Sequence, residues 1–427
     1  MTARMLGVTM ALLLVSGGDP TPAAGQTLAA RVAAASGSQV EFQFGTRPGV
    51  CGDGQSYIHY DDGYSGSFND GFNGISANPC VHGPARVVLD RADAQVVRLR
   101  VFVGAQVAPS AGASSLGTVS SREATAYLLH LAATAQGAVA RQAILPAMLA
   151  DSAENAQALV ALARDQTRPR EIRRSAIAWL PRDGATATAT TQVLVQLGTD
   201  ASDSRSIRQQ ALTTLAQLDA GAGIAPLIRL AGDSAAPWVA RTALSALSQS
   251  GDPRAHDYLR GVVRRAALPD AMLAVAIRGF GMRYASAADL ADIRKAWPTF
   301  TGEQAQGAAI SAAAEFGGQD NVRWLLSLGG DMGATASVRR RALQGAERAG
   351  ARTADFMKLY DAITDPDTKA AIISTLGQVD DQAAVDALLT IARHDESAAA
   401  RRRAVSVLGR SSDPRVKQAL AGIVVGR

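Results

Sequence analysis

"VRRRALQGA", residues 338–346, sets an apolar or small side chain at its first, fifth, sixth and ninth positions and arginine at the second, third and fourth. On a helix turning about 100° per residue, those apolar positions fall within one arc, and the third and fourth positions fall outside it. The pattern returns in "IRRSAIAWL" (172–180), "IRQQALTTL" (207–215), "VARTALSAL" (239–247) and "MLAVAIRGF" (272–280). It returns again in "AQGAAISAA" (305–313), "TKAAIISTL" (368–376) and "ARRRAVSVL" (400–408), with Thr368 the exception at the first place. From Ala176 to Ala404 the fifth position recurs after 35, 32, 33, 33, 33, 30 and 32 residues. Each block follows another helical run, such as "ALVALARD", "IAPLIRLAGD", "VRWLLSLGGD" or "AVDALLTIARHD". A helix pair repeated at such a period cannot bury its apolar stripe alone and predicts a stacked α-solenoid. The fifth residue is alanine in every block except where Ile372 stands, which predicts close approach of neighbouring second helices.

The phrase V-R-x-x-A-L-x-x-L after an Asp-containing turn resembles the short HEAT-like repeats of bacterial proteins, the type also found in bilin lyases. The resemblance covers about residues 155–427. It implies an α-α superhelix of about eight repeats whose second helices line a concave face. The unit after "DPRVKQALAGIVVG" is short, as a terminal cap would be. Farther forward, "RPGVCGDG" and "CVHGPARV" resemble the N-terminal part of some exported bacterial HEAT-repeat proteins, a likeness to which no activity attaches.

The front of the chain follows a different period. "VEFQF" (40–44) alternates apolar and polar residues as a half-buried strand does. "ARVVLDRADAQVVRLRVFV" reads as a hairpin about Asp90–Ala94, with Val97, Leu99, Val101 and Val103 on one face and Arg98 and Arg100 on the other. A Ser/Ala/Gly linker over Pro109–Gly117 and a helix start at Ser120, with Glu123 as its capping-box partner, follow. The expected division is therefore a leader over 1–25, a small β-rich module over 26–118 and the solenoid over 119–427.

"MTARMLGVTMALLLVSGGDPTPAAGQ" reads as a secretory signal, with Arg4 before an apolar run from Met5 to Val15 and small residues for cleavage near Gly25. That run is shorter than the roughly 20 residues of a membrane span, and no later segment is long and apolar enough for one. The mature chain is expected to be exported, periplasmic or extracellular. In an oxidising compartment the two cysteines, Cys51 and Cys80, favour a disulfide over a zinc site. Between them lies a loop rich in Gly and Asp, with Asp53, Asp61, Asp62 and Asp70 as conceivable calcium ligands. Its spacing does not match an EF-hand loop, and Gly and Asp are also what tight turns require, so a stapled turn structure is the expectation. Its aromatic residues, Tyr57, Tyr60, Tyr64, Phe68 and Phe72, leave a partner contact open.

Of 427 residues 47% are hydrophobic, 5% aromatic and 19% charged, which excludes wholesale disorder and suits helices packed through small side chains. Up to residue 150, nine basic side chains balance nine acidic ones, so the net charge of +5 belongs to the repeats. Export argues against nucleic acid as the partner. At position two, Arg173, Arg208, Arg339 and Arg401 fall inside the apolar arc; half-buried, they need partners, and the turn residues Asp165, Asp203, Asp331 and Asp395 are the expected ones. Arg174, Arg241, Arg278, Arg340, Arg341, Arg402 and Arg403 fall outside it, either as a basic binding stripe or as a solvated face. Gly307 and Ala308 thin that stripe in the fifth block, as Gln209 and Gln210 do in the second.

Catalytic signatures are missing: there is no G-x-x-x-x-G-K-[ST], H-E-x-x-H, G-x-S-x-G or S-x-x-K. The five histidines (His59, His82, His130, His256, His394) stand in no metal-ligating spacing, and the His-Glu dyads that hold iron in HEAT-repeat hydroxylases do not occur. No cofactor or metal is expected. The sequence points to a non-enzymatic interaction protein whose partner is an acidic protein segment or an anionic envelope polymer. A lyase-like enzyme using the groove or the front module, and a structural spacer, are the alternatives.

Overall fold

The computed structural model describes residues 26–410, apart from 56, 61–63, 68–79, 94, 105–109, 111, 152–154, 183–186 and 283–284, together with Val416. The leader expected over 1–25, Asp61, Asp62 and Asp70 of the Gly/Asp loop, and nearly all of the short last unit lie outside these residues. The chain divides into two compact units, 1–179 and 180–427.

Unit one begins with a short helix, α1 (Leu28–Ala34), capped by Thr27, which the sequence reading missed. The period-two runs then become strands: β1 (Gln39–Phe44), β2 (Cys51–Gly52), β3 (Tyr57–Tyr60), β4 (Tyr64–Ser67), β5 (Val81–His82), β6 (Ala85–Ala92), β7 (Gln95–Val103) and β8 (Ser114–Thr118). One sheet has the order β7-β6-β1-β8, antiparallel except where β8 lies parallel to β1; the other has the order β4-β3-β2-β5. Strand β8 falls within the expected linker, because Val40 and Glu41 of β1 need a partner on that edge and Ser114 and Ser115 supply it.

The hairpin is tighter than the span Asp90–Ala94. Its strands continue to Ala92 and Gln95, and Asp93 adopts a left-handed φ of 48°. Leu99, Val101 and Val103 are buried as expected, but Val97 is 56% exposed. The register shift at Asp90/Arg91 pairs Asp90 with Arg98 and Arg91 with Val96, so Val97 is the bulged residue and loses its place on the inner face. Cys51 and Cys80 form a disulfide that holds the chain entering β5 against β2. Asp53 closes a turn, its Oδ1 accepting from the amides of Gln55 (2.9 Å) and Tyr57 (3.0 Å).

Five helices complete the unit: α2 (Ser121–Thr134), α3 (Gly137–Gln142), α4 (Ile144–Leu149), α5 (Ala156–Arg164) and α6 (Arg170–Trp179). Ser120 caps α2, its hydroxyl accepting from the Glu123 amide at 3.2 Å. Phe42 of β1 meets Tyr127 of α2 edge to face at 6.1 Å, and Tyr60 of β3 meets Trp179 of α6 at 6.0 Å. Backbone bonds from Arg47 to Leu149 and from Asp151 to Gly45 fasten the end of α4 to the strands. These contacts explain why the compact front extends to Trp179, well past the last strand.

Unit two repeats one arrangement. After a 3-10 turn (Leu180–Arg182), the helices pair as α7 (Ala187–Thr199) with α8 (Arg205–Leu215), α9 (Ile224–Ala231) with α10 (Pro237–Gln249), and α11 (Pro253–Arg265) with α12 (Asp270–Met282). Then come α13 (Ala287–Ala296) with α14 (Glu303–Phe316), α15 (Gln319–Gly330) with α16 (Ala336–Arg348), α17 (Thr353–Ala362) with α18 (Pro366–Leu376), and α19 (Gln382–His394) with α20 (Ala398–Leu408). The even-numbered helices from α8 to α20 pack one upon the next as a layer. Every fifth-position residue of the eight blocks, Ala176 to Ala404, has no exposed surface. At the contact of α10 and α12 the approach is close enough that a Cβ on Gly279 would lie 2.2 Å from the Cβ of Ser248.

Polar ties join successive pairs. The Asp270 carboxylate of α12 accepts from the amides of Gln304 (3.1 Å) and Ala305 (2.8 Å), capping the next second helix. Between α11 and α13, Asp289 is 1% exposed; it accepts from Arg260 at 2.8 Å and lies 3.2 Å from His256 Nε2. Arg264 meets Asp292 at 2.8 Å on the same seam. Farther on, Thr353 donates to Asp381 at 2.7 Å and Tyr360 to Asp395 at 2.6 Å.

The position-two arginines are turned inward. Donors from Thr167 and, after them, the charges of Arg168 and Arg173 hold the Asp165 carboxyl below its ordinary value. All four position-two arginines also reach carbonyls. Arg173, 3% exposed, donates Nε to the Ala163 carbonyl at 2.9 Å, and Arg208 donates to the Gly198 carbonyl at 3.4 Å while lying over the Trp238 ring. Arg401 meets Asp395 through its backbone carbonyl at 2.6 Å. Helix ends leave such carbonyls without partners, and a guanidinium from the following helix satisfies them. Arg339 donates to the Ala334 carbonyl (2.6 Å) and to Thr368 Oγ1 (3.0 Å), and its carboxylate partner is Asp365 of the next pair at 3.5 Å, where Asp331 was expected. The turn aspartates also close their own turns: Asp165 accepts from Thr167, Asp203 from Ser204, Asp331 from Gly333 and Asp395 from Ser397.

Burial opposes ionisation of Asp289, but donors from Arg260, Ser286 and His256 outweigh it and hold its carboxyl at about 2, below its ordinary 3.8. A depressed folded value means that this stabilisation is whole above about pH 4 and is lost as pH falls through about 2. Arg260→Ala should cost about 3 kcal/mol at neutral pH and flatten that acid transition, as read by thermal melts from pH 7 to 2. Arg339→Ala should cost about 2 kcal/mol by urea titration, whereas Arg340→Ala, one residue on, should stay within about 0.5 kcal/mol.

Candidate binding surface on the second helices

The outer arc of each second helix carries the other arginines, and the positions place them as helix geometry requires: Arg174, Arg241, Arg278, Arg340, Arg341, Arg402 and Arg403 are all exposed. Arg174 lies in unit one and the rest lie in unit two. Arg403 donates to the Ser374 hydroxyl from Nε (3.0 Å) and Nη2 (2.8 Å). Among the described residues, Arg241, Arg278, Arg340, Arg341 and Arg402 have no hydrogen-bond or ion-pair partner.

Two recesses gather part of this set. Arg278 of α12, Arg341 and Arg348 of α16, and Glu303 and Gln304 of α14 surround a cavity of about 340 Å³. Gly307 and Ala308 form part of its lining, so the residues that thin the stripe in the sequence make room for the guanidinium groups above them. A Cβ on Gly307 would lie 2.8 Å from Arg341 Nη1. The second recess, about 1160 Å³, takes in Arg340, Arg403, Arg339 and Arg410 together with Asp367, Asp380 and Asp381. Gln344 lines both, so they adjoin along α16. Arg241 and Arg402 line neither.

Arg348 was missed by the nine-residue reading because it lies two residues past the end of its block. It stands seven residues after Arg341 and four after Gln344, spacings that share one helix face, so extending the block by two residues would have found it. Elsewhere, polar side chains serve the fold. His82 bonds the Val50 carbonyl at 2.9 Å, and His256 lies between Asp289 and the ring of Phe280. Among the described residues no cluster of three His, Cys, Asp or Glu side chains could hold a metal ion. No described helix is long and apolar enough to cross a membrane.

A family model described as HEAT repeats matches residues 191–277 and 353–425. No curated protein matches the chain. Among solved structures, human deoxyhypusine hydroxylase in complex with glycerol is similar over 64% of this chain and 95% of its own, at 19% identity and a TM-score of 0.25. The complex of CpcE and CpcF of phycocyanin lyase from Nostoc sp. PCC7120 is similar over 62% of this chain and 94% of that one, at 17% identity and a TM-score of 0.22. From α7 to α12 and again from α17 onward, the helix pairs of this chain are HEAT repeats.

Proposed function

We propose that this chain is an exported, non-catalytic binding protein that holds an acidic protein segment, or an anionic envelope component, on the outer arc of its second helices. The observation that carries this reading is the convergence of guanidinium groups that have no partner among the described residues, Arg278, Arg341 and Arg348 round one recess and Arg340 and Arg410 round the one beside it. Neighbouring like charges repel, so such a cluster is favourable only with an anion between its members. Guanidinium forks match carboxylates in two-bond geometry. A single exposed ion pair contributes about 0.2–1 kcal/mol, so useful affinity on such a face needs a row of them.

Support for export comes from the apolar N-terminal stretch and from the Cys51–Cys80 disulfide, a bond that persists in oxidising compartments and is rare in reducing ones. Support for binding in place of catalysis comes from where the candidate acid and base groups go. Asp289, His256 and Asp270 are occupied in joining one helix pair to the next.

Cross-linked capture from the producing cell's envelope, using residues 26–427 beside the variant with Arg340, Arg341, Arg402 and Arg403 changed to Glu, tests the reading. The expected result is a partner held by the parent and lost by the variant, with helicity and melting unchanged. A partner kept by both would overturn the assignment to this face.

A further inference from the structure

The recess formed by α12, α14 and α16 differs from the rest of the basic face in its charge balance. Three guanidinium groups, from Arg278, Arg341 and Arg348, line it against one carboxylate, that of Glu303. Two positive charges are left without a counterpart, and none of the three arginines has a partner among the described residues. One carboxylate from a ligand would leave the site still unbalanced. Two side by side would complete it.

The backbone of α14 keeps this recess open. Glycine within a helix costs about 1 kcal/mol relative to alanine. At Gly307 its lack of a side chain lets the Arg341 guanidinium settle against the helix, where a Cβ would meet it at 2.8 Å. The side-chain amides of Gln304 and Gln344 add uncharged donors to the rim. At about 340 Å³ the recess has the dimensions of a side-chain pocket. Gln344 also borders the larger recess, where arginines alternate with Asp367, Asp380 and Asp381, so a chain leaving the first would next meet both signs of charge.

Resting on the binding function proposed above, we infer that this recess is the anchor for an acidic pair, two adjacent Asp or Glu side chains on an extended segment of a protein partner that continues past Gln344. Arg278 and Arg341 flank the pair from the helices on either side of α14, Arg348 closes the far side, and the excess of guanidinium groups over the single Glu303 carboxylate disfavours any basic residue at the same place. Single acidic residues are held less well because one guanidinium remains uncompensated.

Fluorescence anisotropy with three labelled peptides of equal length, carrying Glu-Glu, Glu-Gln or Gln-Gln within the same Gly/Ser flanks, reads this preference on the full chain. Glu-Glu should bind about tenfold more tightly than Glu-Gln, and the preference should shrink as salt is raised. Arg278→Gln and Arg348→Gln should each reduce it severalfold without altering the melt; both residues lie outside the four-arginine variant. Equal binding of Glu-Glu and Glu-Gln, or a preference untouched by both substitutions, would overturn the inference even if the four-arginine variant loses its partner. Displacement of the peptide by millimolar inorganic phosphate as effectively as by unlabelled Glu-Glu peptide would also overturn it, in favour of a site for free oxyanions.

Discussion

Everything in the repeat unit depends on how near one second helix can come to the next. Interior packing gains through many short contacts that a small gap forfeits, so the distance between helices decides how much of the chain is covered. Alanine at the fifth position of seven blocks, with no exposed surface, sets that distance. At α12 the constraint tightens until Gly279 is required against Ser248. Isoleucine at position 372 is as fully buried as the alanines, and near the end of the same helix Gly377 lies where a Cβ would come within 2.3 Å of Val407 Cγ1.

Close approach has an electrostatic consequence. A long cationic side chain at position two cannot stay in water once the helices meet, and a buried guanidinium must find acceptors. The available acceptors are the carbonyls at the end of the preceding helix, which Arg173 and Arg208 take. The same residue type one or two positions later on the helix reaches solvent, and Arg241, Arg340, Arg341 and Arg402 have no hydrogen-bond or ion-pair partner among the described residues. The division of arginines into those that hold the fold and those that face outward therefore follows from about 100° of rotation per residue.

This explains what could be read in advance and what could not. The blocks on α6 to α20, the β-rich front and the outward arginines follow from local periodicity, which the chain carries along its own length. The acceptors of Arg339 could not be read so, since Asp365 and Thr368 belong to another pair and many turn aspartates were equally eligible. Arg260 and Asp289 lie on first helices of two different pairs, 29 residues apart in the chain, so local periodicity carries no signal that they meet. Val97 has the strand alternation expected of an inward residue, and only the bulge opposite Asp90 and Arg91 puts it outside.

The thin part of the basic stripe is the most instructive case. Gly307 and Ala308 look like a break when the second helices are compared as separate sequences, because a row of charges is interrupted there. In three dimensions the side chains that matter at that level come from the helices on either side, Arg278 before and Arg341 and Arg348 after. Small residues between them are what allow three guanidinium groups to share one recess. An arginine at position 307 would fill the space and repel its neighbours, so the absence of a charge in the middle helix is the condition for the charge cluster around it.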